Sequence, residues 1–272
     1  MTDLAPLLYA LPVLLIAGAA AGFAGGLFGI GGGFVVVPAL MFLLPLMGVA
    51  PDQVAHVAVG TSLASIIVTS LRSTQAHAQR GAVDFALLKS WAGWVVLGTA
   101  IGTGLANFVA GNQLALIFGS GVLGFAAYFL MPARQGAPRF AGLPTGLPRA
   151  GLASALGVFS TLLGIGGGTL TTLTMTVCGA PIHRAIGTAA GMGAIIAVPA
   201  TIGFAIIGMN EPGTGRGAVG YVHLPAALAL IATSVVFAPL GVATAHFLAP
   251  AVLRRVFGVY LALIGVLMIT KF

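Results

Sequence analysis

The sequence predicts an all-α polytopic membrane protein with about eight membrane segments in two homologous halves, each with a glycine-rich broken or re-entrant helix. Of the 272 residues, 59% are hydrophobic and 6% are charged, whereas soluble domains average about 25% charged residues. Residues 4–51 carry no charged side chain, and a helix crosses the hydrocarbon core with about 20 residues. A glycine-rich pattern also occurs once in each half, which indicates a duplicated architecture.

Uncharged runs define the membrane segments in order. Run 4–51 is too long for one straight span, and run 90–133 divides near residues 107–112 into two spans. Each half then has one broken segment, and the runs together predict about eight segments in one membrane domain. The uncharged runs are 4–51, 53–71, 90–133, 150–183, 185–210, 217–253 and 256–270.

The first break is predicted at residues 22–33, which contain seven glycines among twelve residues. Each glycine in a helix interior costs about 1 kcal/mol relative to alanine. Irregular backbone at membrane depth is tolerated only against protein or a wet cavity. Residues 157–168 repeat the pattern, and the pentapeptide Gly-Ile-Gly-Gly-Gly begins at both Gly29 and Gly164. Two copies of one unfavourable break predict a transport site.

The repeat continues beyond the breaks. Residues 56–62 match residues 183–189, and residues 80–84 match residues 216–220 in the same order. These matches predict a first half at residues 1–131, a cytoplasmic linker at 132–149 and a second half at 150–272. The linker contains three arginines and four prolines, which is typical of an exposed loop.

Basic residues near span ends predict the orientation, because they accumulate on the cytoplasmic side. A parallel repeat would leave Arg184, Arg254 and Arg255 outside. An inverted repeat leaves only Arg216 and Lys271 outside and places the other nine basic residues inside. The charge pattern therefore favours the inverted repeat over the parallel one, which stays open as the alternative. Inverted repeats with broken helices are a recurrent transporter plan.

Four stretches resemble the TauE/SafE family of membrane permeases: the glycine pattern at 22–33, then residues 37–40, 56–62 and 81–84. The resemblance extends over roughly residues 10–270. It implies a secondary transporter of the cell inner (plasma) membrane. Members of the family are linked to the export or uptake of sulfite, sulfoacetate, thiosulfate or related sulfur-containing anions. The second half departs from the first where Pro38 becomes Leu173, Asp84 becomes Gly220, and Gly25-Gly26 become Ser160-Thr161.

The candidate site consists of the two breaks and nearby polar side chains. Helix N-termini can hold an anion with free N–H groups, and glycine lets the backbone approach it closely. The alternatives are close helix packing for the glycines, hydroxyl bonds to the preceding turn, and interfacial positions for the histidines. The candidate substrate-binding residues are Gly29, Gly31, Gly32, Gly33, His56, Thr61, Ser62, Gly164, Gly166, Gly167, Gly168, Thr169, His183 and Thr188.

The leading hypothesis is an exporter of small sulfur-containing anions that works by alternating access within the lipid bilayer, without a cofactor, a metal or nucleic acid. A passive anion channel is the alternative. Coupling to protons or Na⁺ and assembly as a homodimer stay open. No intramembrane acid is evident, so any proton coupling must pass through histidine, water or the substrate. An enzyme is not expected, because no catalytic cluster is apparent and the histidines are scattered at positions 56, 77, 183, 223 and 246.

Overall fold

The computed structural model describes residues 5–131 and 142–271. The described residues form ten α-helices, a 3-10 turn at Pro45–Met47 and one short β-hairpin. The helices are α1 Ala5–Phe28, α2 Gly33–Leu43, α3 Val54–Ala78, α4 Phe85–Ala106, α5 Gly111–Leu130, α6 Gly146–Leu162, α7 Gly168–Val177, α8 Ile182–Ile207, α9 Leu224–Phe247 and α10 Pro250–Lys271, and the strands are β1 Ala218–Val219 and β2 Val222–His223.

Six helices in the described chain are long and apolar enough to cross a membrane, namely α1, α3, α4, α5, α8 and α9. Large apolar side chains such as Leu97, Ile202 and Leu228 are exposed on these helices, as expected for surfaces that face lipid. The predicted class of helical polytopic membrane protein is therefore confirmed. The helix α3 lies at the centre. In its most apolar 18-residue stretch 78% of the residues are buried, against 39–44% in the corresponding stretches of the other five helices.

The two halves of the chain have the same order of elements. A long helix, a glycine break, a short helix and three further helices form α1–α5, and the same order recurs in α6–α10. The helix α6 begins at Gly146, four residues before the predicted start of the second half at residue 150. Most of the predicted linker, residues 132–141, lies outside the described residues.

The outer helix of each half packs on a helix of the other half. The helix α1 packs along α9, and Gly18 faces Leu230 while Gly26 faces Ala238, so the two helices run in the same direction. The helix α6 packs along α4 in the same way, since Gly98 faces Ser154. Glycine is needed in these contacts because an added Cβ would collide with the facing backbone.

The central helices α3 and α8 run antiparallel. Gly60, near the start of α3, faces Phe204 near the end of α8, and Gly187, near the start of α8, faces His77 near the end of α3. The helix α9 runs parallel to α3. The helix α4 runs parallel to α8, because Leu88 faces Gly191 and, further along both helices, Thr103 faces Gly203. As a result α1, α3 and α9 point in one direction, and α4, α6 and α8 point in the other.

Candidate functional site

Both predicted breaks interrupt a helix where the glycines require it. The first break has φ of +68° at Gly29, +70° at Gly31 and +87° at Gly32. The second has φ of +59° at Gly164 and +67° at Gly167. This left-handed conformation costs roughly 1–2 kcal/mol for residues with a Cβ, so glycine is the residue that fits.

The two breaks lie against each other inside the protein. Gly33, the first residue of α2, packs on the second break, where an added Cβ would lie 2.5 Å from the Gly164 carbonyl oxygen. Gly168, the first residue of α7, packs on the first break, where an added Cβ would collide with the carbonyl oxygen of Gly29. The start of each short helix therefore faces the break of the opposite half.

The breaks also share a contact with α3. The side chain of Ile66 would lie 2.7 Å from a Cβ added at Gly31 and 2.8 Å from one added at Gly166. One turn later, the Ser70 hydroxyl would lie 3.1 Å from the same Cβ at Gly31. Ser70 is fully buried, and its hydroxyl has no hydrogen-bond partner among the described residues. The middle of α3 thus forms one wall of the region where the breaks meet.

The starts of α2 and α7 present unbonded donors to this region. The Val36 N–H donates to the Gly32 carbonyl at 3.1 Å, and the Thr171 N–H donates to the Gly167 carbonyl at 3.0 Å. The Val35 N–H also donates to the Gly32 carbonyl, at 2.9 Å. The N–H groups of the first two residues of α2 and the first three residues of α7 have no intrahelical acceptor. These donors lie at the positive ends of the two helix dipoles, which is an arrangement suited to an anion.

Two buried hydroxyls of the second half adjoin the break. Thr169 is the second residue of α7, and Ser160 precedes the break, with its Oγ 3.0 Å from a Cβ added at Gly167. Both side chains are fully buried, and neither hydroxyl has a hydrogen-bond partner within the described chain. An unsatisfied buried polar group costs about 1–3 kcal/mol, so these hydroxyls call for a functional explanation.

Ser62 contacts the second break directly, because its hydroxyl donates to the Gly164 carbonyl at 3.0 Å. Sequence reasoning selected Ser62 but missed the rest of a buried hydroxyl stripe on α3. The spacing of three or four residues, which places side chains on one helix face, was the signal that could have found it. The stripe consists of Ser62, Ser65, Thr69 and Ser73, and the buried Ser70 lies beside it.

Thr61 and Thr188 hold equivalent structural positions. The Thr61 hydroxyl accepts the backbone N–H of His223 at 2.9 Å, and the Thr188 hydroxyl accepts that of Asp84 at 2.9 Å. His223 and Asp84 are the N-caps of α9 and α4. Each threonine therefore fixes the start of a helix in the next part of the fold, and an anion-binding role for these hydroxyls stays a prediction.

The two N-caps correct the matching of Asp84 with Gly220. The Asp84 Oδ1 accepts the Leu87 N–H at 2.9 Å, and the His223 Nδ1 accepts the Ala226 N–H at 3.3 Å, so His223 has the capping role in the second half. Burial lowers the pKa of His223, which keeps Nδ1 unprotonated and able to accept.

The structure places His56 and His183 at opposite ends of the α3–α8 pair. The His56 Nε2 lies 3.1 Å from the Ala106 carbonyl oxygen, and its ring stacks on Tyr221 at 4.9 Å. The His183 ring stacks on His246 at 5.0 Å. The two imidazoles are therefore separated from each other along the full length of α3, and their binding role stays a prediction.

The chain is similar to known proteins over nearly its whole length. The chain is 31% identical over 258 residues to a probable membrane transporter protein of Haemophilus influenzae, covering 94% of this chain and 97% of that one. It is 28% identical over 267 residues to a probable membrane transporter protein of Methanocaldococcus jannaschii, covering 95% of each. No solved structure matches. The family described as Sulfite exporter TauE/SafE matches residues 14–268. The chain therefore belongs to the TauE/SafE family and is a multi-pass membrane transporter.

Proposed function

We propose that the protein exports small sulfur-containing anions, such as sulfite, sulfoacetate or thiosulfate, across the cell inner membrane. The observation that carries this proposal is the meeting of two helix N-termini with unpaired buried hydroxyls at one place. Backbone N–H groups and hydroxyls hold oxyanions without a fixed positive charge. The absence of a lysine or arginine from the proposed contacts favours release, because each contact is weak. The proposed ligands are Gly31, Gly32, Gly33, Gly166, Gly168 and Thr169, joined by Ser70 and Ser160. Ser62 and Gly167 support the site instead, because they donate to the carbonyls of Gly164 and Ile165.

Alternating access is the proposed mechanism. The first residue of each short helix packs on the opposite break, so the anion enters only when the breaks separate. Separation on one side of the membrane at a time would expose the site first to one compartment and then to the other. The repeated elements support this mechanism, because each half supplies one break and one short helix that can move against the other half.

The proposed topology is an inverted repeat of eight membrane segments, with each broken helix and its short partner counted as one. The helix directions support it, because α1 and α6 occupy equivalent places in the two halves and point in opposite directions. Arg80, Arg149 and Arg184 lie at one end of the molecule, where α3 ends and α4, α6 and α8 begin. The positive-inside rule assigns this end to the cytoplasm, and Arg216 to the outside.

Single cysteines at Gln79 and Glu211 test the topology, because these exposed residues follow the equivalent helices α3 and α8. In a Cys178→Ala background, Gln79→Cys and Glu211→Cys are expected to react with a membrane-impermeant maleimide from opposite sides of the membrane. Labelling in intact cells and in inverted vesicles measures this. Reaction of both cysteines from the same side would establish the parallel arrangement instead.

Uptake of labelled anions into proteoliposomes tests the transport function. Sulfite, thiosulfate and sulfoacetate are offered separately, and at least one is expected to show saturable uptake and accelerated exchange when unlabelled anion is inside. Empty liposomes provide the control. Absence of uptake for all three would overturn the proposed substrate class. Uptake that is not saturable and not accelerated by internal anion would indicate the passive channel.

A further inference from the structure

Three histidines that are distant in sequence meet at the end of the molecule assigned to the cytoplasm. His77 lies in the last turn of α3, His246 in the last turn of α9 and His183 in the first turn of α8. The His246 Nε2 lies 3.3 Å from the His77 Nδ1, and the His246 and His183 rings stack with an angle of 16°. The expectation of scattered histidines is therefore wrong for these three.

The hydrogen bonds determine where a proton can bind. The His77 Nε2 lies 3.1 Å from the carbonyl oxygen of Gly26, which can only accept, so this nitrogen carries the hydrogen. In the neutral ring the His77 Nδ1 then accepts, and His246 donates to it from Nε2. The free basic nitrogen of the pair is therefore Nδ1 of His246. Because His77 is fully buried and His246 only partly, a proton enters at His246.

Three helix C-termini converge on the His77–His246 pair. Gly26 lies in the last turn of α1, which ends at Phe28, and the pair itself lies in the last turns of α3 and α9. Each C-terminus carries roughly half a negative elementary charge, which stabilises an imidazolium near it. The three C-termini therefore offset part of the cost of a positive charge on a buried imidazole. Among the described residues, no free carboxylate is in hydrogen-bonding contact with the pair.

The surrounding charges limit the pair to one extra proton. His183 lies at the positive N-terminal end of α8, and Arg80 is close enough to act electrostatically on both members of the pair. Asp84 is occupied by an ion pair with Arg184 at 2.7 Å. Within residues 5–131 and 142–271, no three His, Cys, Asp or Glu side chains are placed to hold a metal ion. The free imidazole nitrogen of His246 is a basic group that binds a proton.

We propose that the His77–His246 pair is the proton-binding site that couples proton movement to anion transport, an inference that rests on the proposed function. A proton that binds Nδ1 of His246 releases the Nε2 proton of that ring to Nδ1 of His77. His246 is then neutral and His77 is an imidazolium, so one proton has entered and one charge has formed. The charged His77 makes a stronger hydrogen bond to Gly26, three residues before Gly29, and so biases the position of the first break.

The coupling is measured in proteoliposomes with an imposed pH gradient and the membrane potential clamped at zero. With one proton per anion, one pH unit supports a concentration ratio of about tenfold, because it corresponds to about 1.4 kcal/mol. His77→Gln and His246→Gln keep an N–H donor but cannot titrate. Both variants are expected to lose the pH-driven accumulation and to retain anion exchange at zero gradient.

His223→Asn is the matched control, because it removes a buried imidazole at the other end of the molecule and keeps an N-capping side chain. It is expected to retain pH-driven accumulation. The proposal is overturned if the wild type exchanges anion but ignores the pH gradient, or if both glutamine variants still accumulate anion. Absence of any exchange by the wild type would instead overturn the proposed function.

A second measurement tests the proton site independently of anion transport. Nuclear magnetic resonance of the protein with ¹⁵N-labelled histidine, in lipid nanodiscs, is expected to show that the pair takes up one proton in total across the accessible pH range. The His246→Gln variant is expected to change the titration of His77, because glutamine cannot take up a proton and pass it to Nδ1 of His77. Independent titration of the two rings, with two protons bound, would contradict the shared site whatever the transport assay shows.

Discussion

Gly168→Ala is expected to reduce the initial rate of anion transport by about tenfold or more. The added Cβ would collide with the Gly29 carbonyl oxygen and lie 2.5 Å from the Ile30 Cα. Overpacking typically costs about 1–3 kcal/mol, and here the obstructing atoms belong to backbone that cannot rotate away. The two breaks must then move apart, which shifts the population away from the state in which they are in contact. Uptake into proteoliposomes at equal protein density measures the rate.

Gly104→Ala is the control for this substitution. Gly104 is an exposed helical residue of α4, and a Cβ added there meets nothing within 4 Å. The transport rate and the thermal stability of the Gly104→Ala variant are expected to equal those of the wild type. If Gly168→Ala also transports at the wild-type rate while the protein remains folded, the contact between the breaks has no part in the transport cycle.

Thr169→Val is expected to raise the KM for the anion by about tenfold to a hundredfold, because a hydrogen bond to a charged group contributes about 1.5–3 kcal/mol. Valine has the shape of threonine without the hydroxyl. Since that hydroxyl has no partner in the described structure, its removal is expected to leave the melting temperature unchanged or higher. The expected result is thus a loss of binding without a loss of stability, measured by concentration-dependent uptake and by thermal unfolding in detergent.

Thr188→Val makes the same substitution in an equally buried threonine, and the opposite effect on stability is expected. Its hydroxyl accepts the Asp84 N–H, so its removal leaves that donor unpaired and is expected to destabilise the fold by about 1–3 kcal/mol. A lower melting temperature is therefore expected for Thr188→Val and not for Thr169→Val. If Thr169→Val lowers the melting temperature and leaves KM unchanged, its hydroxyl is structural and the proposed anion site loses a ligand.

The positions of the breaks could be predicted from the sequence, whereas the helix pairs could not. Glycine runs at membrane depth are unfavourable in any helix, so the breaks beginning at Gly29 and Gly164 are visible without tertiary information. Partner choice between membrane helices has no comparable signal, because lipid is as apolar as a helix surface. The pairing of α1 with α9, the pairing of α4 with α6 and the meeting of His77 with His246 follow from that packing.

The candidate site was predictable to the same extent. The backbone elements that face each other at Gly33 and Gly168 belong to the predicted set, because their conformation is specified locally. The hydroxyls were harder to assign, since a hydroxyl can bond to its own helix, to a distant backbone group or to a ligand. Thr61 bonds a residue 162 positions away, whereas Ser70 has no partner among the described residues. Only the tertiary structure separates these cases.

The pairing of α1 with α9 has a consequence for the synthesis of the protein. Gly18 packs against Leu230, so 212 residues separate a helix from the partner that covers its glycine face. At about 5–20 residues per second, the ribosome needs roughly 10–40 s to produce that partner. During this interval α1 resides in the bilayer, and its glycine face contacts lipid or the insertion machinery instead of α9. The first half therefore cannot complete its packing as it emerges, and assembly waits for nearly the whole chain.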